Sequence, residues 1–285
     1  MYVRPCFIIA HKWCRGYVSY IKHFVDNIQS FYQDSLILIV DNTSEFKEDV
    51  LDQFKNVENV ILLDNNTIHR FEQGAYLFGL DYLLRNGLYE NYDYFVFTQD
   101  TYIIKNKFDF NELVEREVLA CPISWGTGIQ DFSLDHILSH LKLLDVYDES
   151  LELNTDVSLC HLEEYEENIL KKILHFYCTC YIIHRSKLNE LSGYLKKIII
   201  RTRWESELGE RYFAWVLFKM NNNKNYQIDR CPYLYDHRGK DAINLHEDFH
   251  HGYFAKHQQG KVEKLVHQVG RISPFKKIKI TYKYI

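Results

Sequence analysis

An α/β fold with a mostly parallel sheet flanked by helices is predicted by three features of the chain. Short runs of β-branched and aromatic residues recur through the first hundred positions. Between them lie segments with apolar residues at helical spacing. Each run stops abruptly in polar residues. Strands alternating with helical segments imply βαβ units, and runs that are apolar throughout read as strands covered on both faces.

Residues 6–10 form the first run and stop at His11. Residues 11–15 are polar and read as a loop. Residues 17–31 place Val18, Ile21, Phe24, Val25 and Ile28 at helical spacing. A second run, 36–40, ends in Asp41-Asn42-Thr43-Ser44, a turn-rich tetrad. Residues 50–54 read as a short helix and 57–63 as a third strand. Residues 71–84 return to the helical period through Leu77, Leu80 and Leu84. The fourth run, 94–98, is the most aromatic and leads into Gln99-Asp100-Thr101. Beyond it the spacing predicts a strand over 118–123, followed by Trp125-Gly126, and another over 176–183 ending in His184-Arg185-Ser186. Helices are expected over 188–199 and 208–220, the second introduced by the capping signature Thr202-x-x-Glu205. A last strand is expected over 227–235. Residues 145–167 carry nine acidic residues and no Lys or Arg, the pattern of a solvated segment or a mobile flap. No repeat or linker divides the chain. Residues 1–262 are therefore read as one domain and 263–285 as a basic tail, which suits a solvated terminus or peripheral contact with an anionic membrane surface.

Composition narrows the function classes. The net charge of −5 gives no basic excess for a nucleic-acid partner. No window approaches the ~18 apolar residues that span a bilayer, and the N-terminal apolar run is too short for a signal peptide. Seven cysteines, an odd number with no CxxC pair, read as free thiols in a reducing compartment, so a cytoplasmic protein is expected. The glycine-rich dinucleotide fingerprint is missing after the first strand, as is a GxxxxGK[ST] loop.

The ends of the strands carry the candidate chemistry. In open α/β sheets ligands bind beyond the carboxyl ends of the strands, which places Ala10, His11, Asp41, Gln99 and Asp100 along one edge. Asp41 suits a ribose or base, or a simple Asx turn. Arg70 precedes a helix that starts with Gly74-Ala75, where small residues allow close backbone approach to an anionic group. A second cluster is rich in histidine: His246, His250, His251 and His257, with Lys256 among them. A manganese or magnesium ion on a nucleoside diphosphate needs few protein ligands, because phosphate oxygens supply the rest. Asp100 with His250 or His251 would suffice, and Lys256 would neutralise the leaving diphosphate. His246-Glu247-x-x-His250 also satisfies the zinc hydrolase motif, with His257 or Glu263 as a third ligand; His251-Gly252 directly after it works against the long helix that chemistry requires. In the third cluster, Glu207 near a helix start is a candidate general base or a surface partner of Arg211.

With these clusters in view, the sequence resembles glycosyltransferases of the GT-A fold. The likeness rests on the strand to Ala10, the strand ending Asp41-Asn42-Thr43-Ser44, and Thr98-Gln99-Asp100-Thr101 where that family carries Asp-x-Asp. Trp125-Gly126, the strand to His184 and the helix from Glu205 also have counterparts. Phe71-Glu72-Gln73-Gly74-Ala75 together with Gln99-Asp100-Thr101 is most similar to rhamnan-synthesis-type transferases, and His251-Gly252-Tyr253 with Lys256 to the C-terminal histidine that completes the metal site. The likeness covers most of residues 5–260. It implies a Rossmann-like sheet, a nucleotide-sugar donor (a UDP-sugar), a glycan or other hydroxyl acceptor, and Mn2+ or Mg2+. It assigns Asp100, His250 and His251 to the metal, Ala10, His11, Asp41, Arg70, Gln99 and Lys256 to the donor, Glu207 to the base of an inverting reaction, and Trp125 and His184 to the acceptor pocket. The sequence departs from the family in having one carboxylate at the Asp-x-Asp position. A metal-free site balanced by Lys256 or Arg70, and a sugar-binding protein that has lost catalysis, are the alternatives.

Overall fold

A computed structural model describes residues 2–12, 21–44, 47–69, 71–100, 102–104, 107–123, 180–197, 200, 209, 213–214, 216–222, 224 and 254–256. The expected flap over 145–167, the strand over 227–235, the capping box and the basic tail lie outside the described residues.

Among the described residues six strands form one sheet: β1 (Pro5–His11), β2 (Leu36–Asp41), β3 (Val60–Asp64), β4 (Tyr94–Gln99), β6 (Ala120–Pro122) and β7 (Tyr181–His184). Their order across the sheet is β3-β2-β1-β4-β7-β6. β1, β2, β3 and β4 are mutually parallel, whereas β7 runs antiparallel to β4 and to β6. The α/β class and the mostly parallel sheet thus follow the sequence pattern, with one reversed strand that the pattern does not reveal. Periodicity reports which residues share a face, and it is the same for a strand run in either direction.

β1, β2 and β4 are buried at every position, because helices cover both faces. On the second face lies α1 (Ile21–Phe31), and between β2 and β3 the chain makes the short helix α2 (Glu48–Leu51). On the first face Cys6, Ile8, Leu38, Val40, Phe95 and Phe97 pack against α3 (Phe71–Arg85), α5 (Leu188–Lys197) and helical residues 213–214 and 216–220. On the second, Phe7, Ile9, Ile37, Ile39 and Val96 meet α1 and the segment around α4 (Asn111–Glu115). α3 lies close to the sheet because Gly79 has no side chain. A Cβ there would fall 2.8 Å from Ile8 Cγ2 and 3.1 Å from Val40 Cγ2. The described cysteines Cys6, Cys121 and Cys180 are free and buried. Burial raises the thiols of Cys6 and Cys121 well above their ordinary range, as suits inert core residues. No described helix is long and apolar enough to cross a membrane.

A separate two-stranded antiparallel ribbon, which the sequence pattern misses, joins β5 (Tyr102–Ile104) to β8 (Phe254–Lys256). Three-residue strands are too short for alternation to register above chance. Asn27 of α1 anchors β5. Its Oδ1 accepts from the backbone N–H of Ile104 and its Nδ2 donates to the Ile104 carbonyl at 3.0 Å, as a neighbouring strand would. Removing both bonds by Asn27→Ala is expected to destabilise the protein by about 1–3 kcal/mol. Urea denaturation measures this, and a loss below about 0.5 kcal/mol, the range of a surface substitution, would show that β5 is held by other contacts.

Candidate functional site

The direction in which the sheet is built reverses between β1 and β4. From β1 the chain adds β2 and β3 on one side, then crosses to place β4 on the other. Such a switch point leaves a crevice at the carboxyl ends of the two strands, where open α/β sheets bind ligands. His11 and Asp100 meet there. His11 Nδ1 lies 2.6 Å from Asp100 Oδ2, and the same oxygen accepts from the Lys12 backbone N–H at 3.2 Å. His11 is 1% exposed and the Asp100 side chain 15%. The other ring nitrogen, His11 Nε2, is buried with no hydrogen-bond partner among the described residues; so is Thr98 Oγ1.

Strand register extends this pair into a row. His11 is aligned with Asp41 on β2, and Ile9 with Thr98 on β4. Alternation along each strand puts Asp41, His11, Thr98 and Asp100 on the α1 face of the sheet, and Ala10 and Gln99 on the α3 face. Asp41, expected to serve a nucleoside, is 2% exposed. Its Oδ2 accepts from the Ser44 N–H at 2.9 Å and its Oδ1 from the Ser44 hydroxyl, an Asx-type turn that organises the strand end. On the opposite face Gln99 Nε2 donates to Glu72 Oε1 at 2.9 Å. Beside Glu72, Gln73 is 3% exposed, and neither of its amide atoms has a partner among the described residues.

The entry to α3 is held by a polar network. Asn42 Nδ2 donates to the Phe71 carbonyl at 2.6 Å, and Asn65 Nδ2 donates to Asn42 Oδ1 at 2.7 Å and to the His69 carbonyl at 2.9 Å. Thr43 and Phe71, at the edges of this network, have φ of 60° and 59°. Those left-handed conformations are costly for non-glycine residues and persist where surrounding bonds over-determine them. Gly74 is expected from sequence to let an anionic group approach. Instead the His69 carbonyl fills that space, and a Cβ on Gly74 would lie 2.4 Å from its oxygen.

No family model matches this chain. No curated protein matches it either.

Of the residues predicted from sequence, Ala10, His11, Asp41, Gln99 and Asp100 do line one edge. Lys256 is brought near, since its backbone pairs with Tyr102, two residues after Asp100. His184 is not. It pairs with Tyr94 at the start of β4, roughly 16 Å of strand from Gln99. The reason is the antiparallel direction of β7, which sends its carboxyl end to the opposite edge. There the Ser186 N–H donates to His184 Nδ1 at 3.3 Å, and the ring meets Tyr94 edge-on. Burial, then the adjacent Arg185, lowers the His184 pKa. The acceptor role assigned to His184 by resemblance therefore does not belong to this edge. Glu207, Arg70, Trp125, His250 and His251 lie outside the described residues, as do His246 and Glu247. Thr98 and Gln73 stand in motifs quoted from the sequence, but the sequence gives neither of them a role. Each stands next to another polar residue, Gln99 after Thr98 and Glu72 before Gln73, and nothing local reports that its side chain is buried.

The described residues supply a limited donor set for a divalent ion. Asp100 contributes one carboxylate whose Oδ2 already accepts two bonds. Asp100 is the described strand-end carboxylate that would serve as one protein ligand of an ion carried by a diphosphate.

Proposed function

We propose that the chain is a nucleotide-sugar-dependent glycosyltransferase, with the donor lying across the strand ends between β2, β1 and β4. The observation that carries this reading is the His11–Asp100 pair at the point where strand order reverses, with a buried imidazole nitrogen that has no partner among the described residues. The likeness of Thr98-Gln99-Asp100 and Phe71-Glu72-Gln73-Gly74-Ala75 to GT-A transferases supplies the substrate class. Asp41 and His11 line the nucleoside side of the edge, and Asp100 lies where the diphosphate would cross. Gln99, fixed by Glu72, lines the α3 side. Mn2+ or Mg2+, when bound, would neutralise the leaving diphosphate. Lys256, whose backbone pairs with Tyr102, is a candidate cation for the same charge. Glu207 is the base assigned by resemblance for an inverting reaction, and a glycan hydroxyl the acceptor.

A thermal-shift series with UDP-sugars, with and without manganese, tests the reading. A ligand at a hundred times its Kd stabilises the folded state by about 2.7 kcal/mol, a rise in Tm of roughly 5–10 °C at about 2–4 °C per kcal/mol for a domain of this size. Asp100→Ala is expected to abolish that rise. No rise with any nucleotide sugar would sink the proposal. The engagement of Asp100 Oδ2 by His11 and Lys12 favours one second reading, a protein that binds a nucleotide sugar without transferring it. Stabilisation without donor hydrolysis or transfer would select it.

A further inference from the structure

We infer that β3 is an interaction edge, and that it pairs antiparallel with β3 of a second copy of this chain about a two-fold axis through Leu62. The inference does not depend on the nucleotide-binding reading above. It concerns the outer edge of the sheet, not the switch point between β1 and β4.

The backbone of β3 leads to it. β3 is an end strand, paired with β2 on one side and with no strand among the described residues on the other. The Ile37 N–H donates to the Asn59 carbonyl at 2.8 Å, and the Asn65 N–H to the Asp41 carbonyl at 2.9 Å. In a parallel ladder the N–H and C=O of one residue face the partner strand, and those of the next face away. Ile61 and Leu63 therefore face β2, and Val60, Leu62 and Asp64 face outward. Two of the outward groups are engaged within the chain. The Val60 N–H donates to the Val57 carbonyl at 3.2 Å, and the Asp64 carbonyl accepts from the Asn66 N–H at 3.1 Å. The Val60 C=O, the Leu62 N–H and C=O, and the Asp64 N–H remain, with no backbone partner among the described residues.

This set is self-complementary. With Leu62 opposite its counterpart in an antiparallel pair, the two leucines exchange both of their backbone bonds. Each Asp64 N–H then meets the Val60 carbonyl of the other copy. Every remaining group is used, and the groups already engaged inside the chain are those this register leaves idle. A slip of two residues either way loses half of the bonds. The side chains agree with the backbone. Val60, Ile61, Leu62 and Leu63 are half-buried, and none is a proline or a charge of the kind that guards a free edge. Asp64, the charged residue of the strand, is held by Lys47 at 2.6 Å, so pairing brings no unbalanced carboxylate to the seam. Val60 and Leu62 lie on the α1 face and Ile61 and Leu63 on the α3 face. Leu62 thus lies beside its counterpart on one face, and Ile61 beside Leu63 of the second copy on the other, apolar pairs that stabilise antiparallel strands. The strand has five residues, whereas a standard interface takes about 20–30 residues a side, so the dimer is concentration-dependent.

Sedimentation velocity of the full chain, from micromolar to millimolar concentration, tests the association, and amide hydrogen exchange locates it. A monomer–dimer equilibrium is expected. Exchange at Leu62 and Asp64 should slow as the dimer forms, while Ile61 and Leu63, already bonded to β2, stay unchanged. Leu62→Lys sets like charges opposite each other and is expected to abolish the dimer, as is Leu62→Glu. An equimolar mixture of the two is expected to restore it as a heterodimer, which misfolded variants would not form. A wild type that stays monomeric at millimolar concentration overturns the inference, and so does undiminished dimerisation of Leu62→Lys. A dimer in which Leu62 and Asp64 exchange as fast as in the monomer places the interface elsewhere and overturns it. Protection of these two amides in a chain that stays monomeric would show that the chain itself covers β3, and overturns it as well.

Discussion

Phe97→Ala is expected to destabilise the protein by about 3–5 kcal/mol, the largest effect of any substitution considered. Phe97 is fully buried in β4, at the centre of the sheet. Its ring stacks on Tyr181 of β7 at a centroid distance of 4.7 Å and meets Tyr76 of α3 edge-on at 5.4 Å. Tyr181 in turn stacks on Phe213. The truncation therefore removes a side chain from the middle of a linked aromatic cluster, and the surrounding rings are too rigid to close the void. Guanidinium denaturation should show a lower midpoint with an unchanged slope. A loss below about 2 kcal/mol would mean that the aromatic cluster repacks, contrary to its close-packed geometry. Because Phe97 lies just before Gln99 and Asp100, the same variant should also weaken nucleotide binding.

Gly74→Ala is expected to cost about 1–3 kcal/mol, against the usual sign of this change. In an exposed helix interior alanine is favoured over glycine by about 1 kcal/mol. At Gly74 the new methyl would sit 2.4 Å from the His69 carbonyl oxygen and 2.5 Å from its carbon. Those are backbone atoms, and Asn65 holds that carbonyl in place, so the clash is relieved only by moving α3 or breaking the network. Gly193 provides the control. It is exposed within α5, and a Cβ there meets nothing within 4 Å. Gly193→Ala should therefore stabilise by about 0.5–1 kcal/mol. Thermal unfolding of the two variants side by side reads the contrast, and equal shifts would refute the close approach of His69.

Much of the candidate site is legible in the amino-acid sequence. Each strand end can be read from the residue at which an apolar run stops, so His11, Asp41 and Asp100 emerge as neighbours on one edge. Their partners cannot be read in this way. Nothing local to Asp100 indicates that its carboxylate faces His11, 89 positions earlier, or that the Asp41 carboxylate is taken by Ser44. Gly74 is rightly read as a place of close backbone approach, but the approaching group is the chain's own His69 carbonyl. His184 shows the same limit from the other side. Its residue type suits a binding pocket, and only the direction of its strand removes it from the edge.

The sequence by itself determined which segments of the sheet become strands and helices, which side chains face inward, and where each long strand ends. These follow from periods of two and 3.6 residues and from local turn chemistry, which a chain carries in neighbouring positions. Tertiary structure alone decided the order β3-β2-β1-β4-β7-β6, the reversal of β7, and the meeting of His11 with Asp100. Strand pairing is made by backbone groups that every residue possesses, so the choice of partner is set by how all the buried faces close together rather than by any one stretch of the chain.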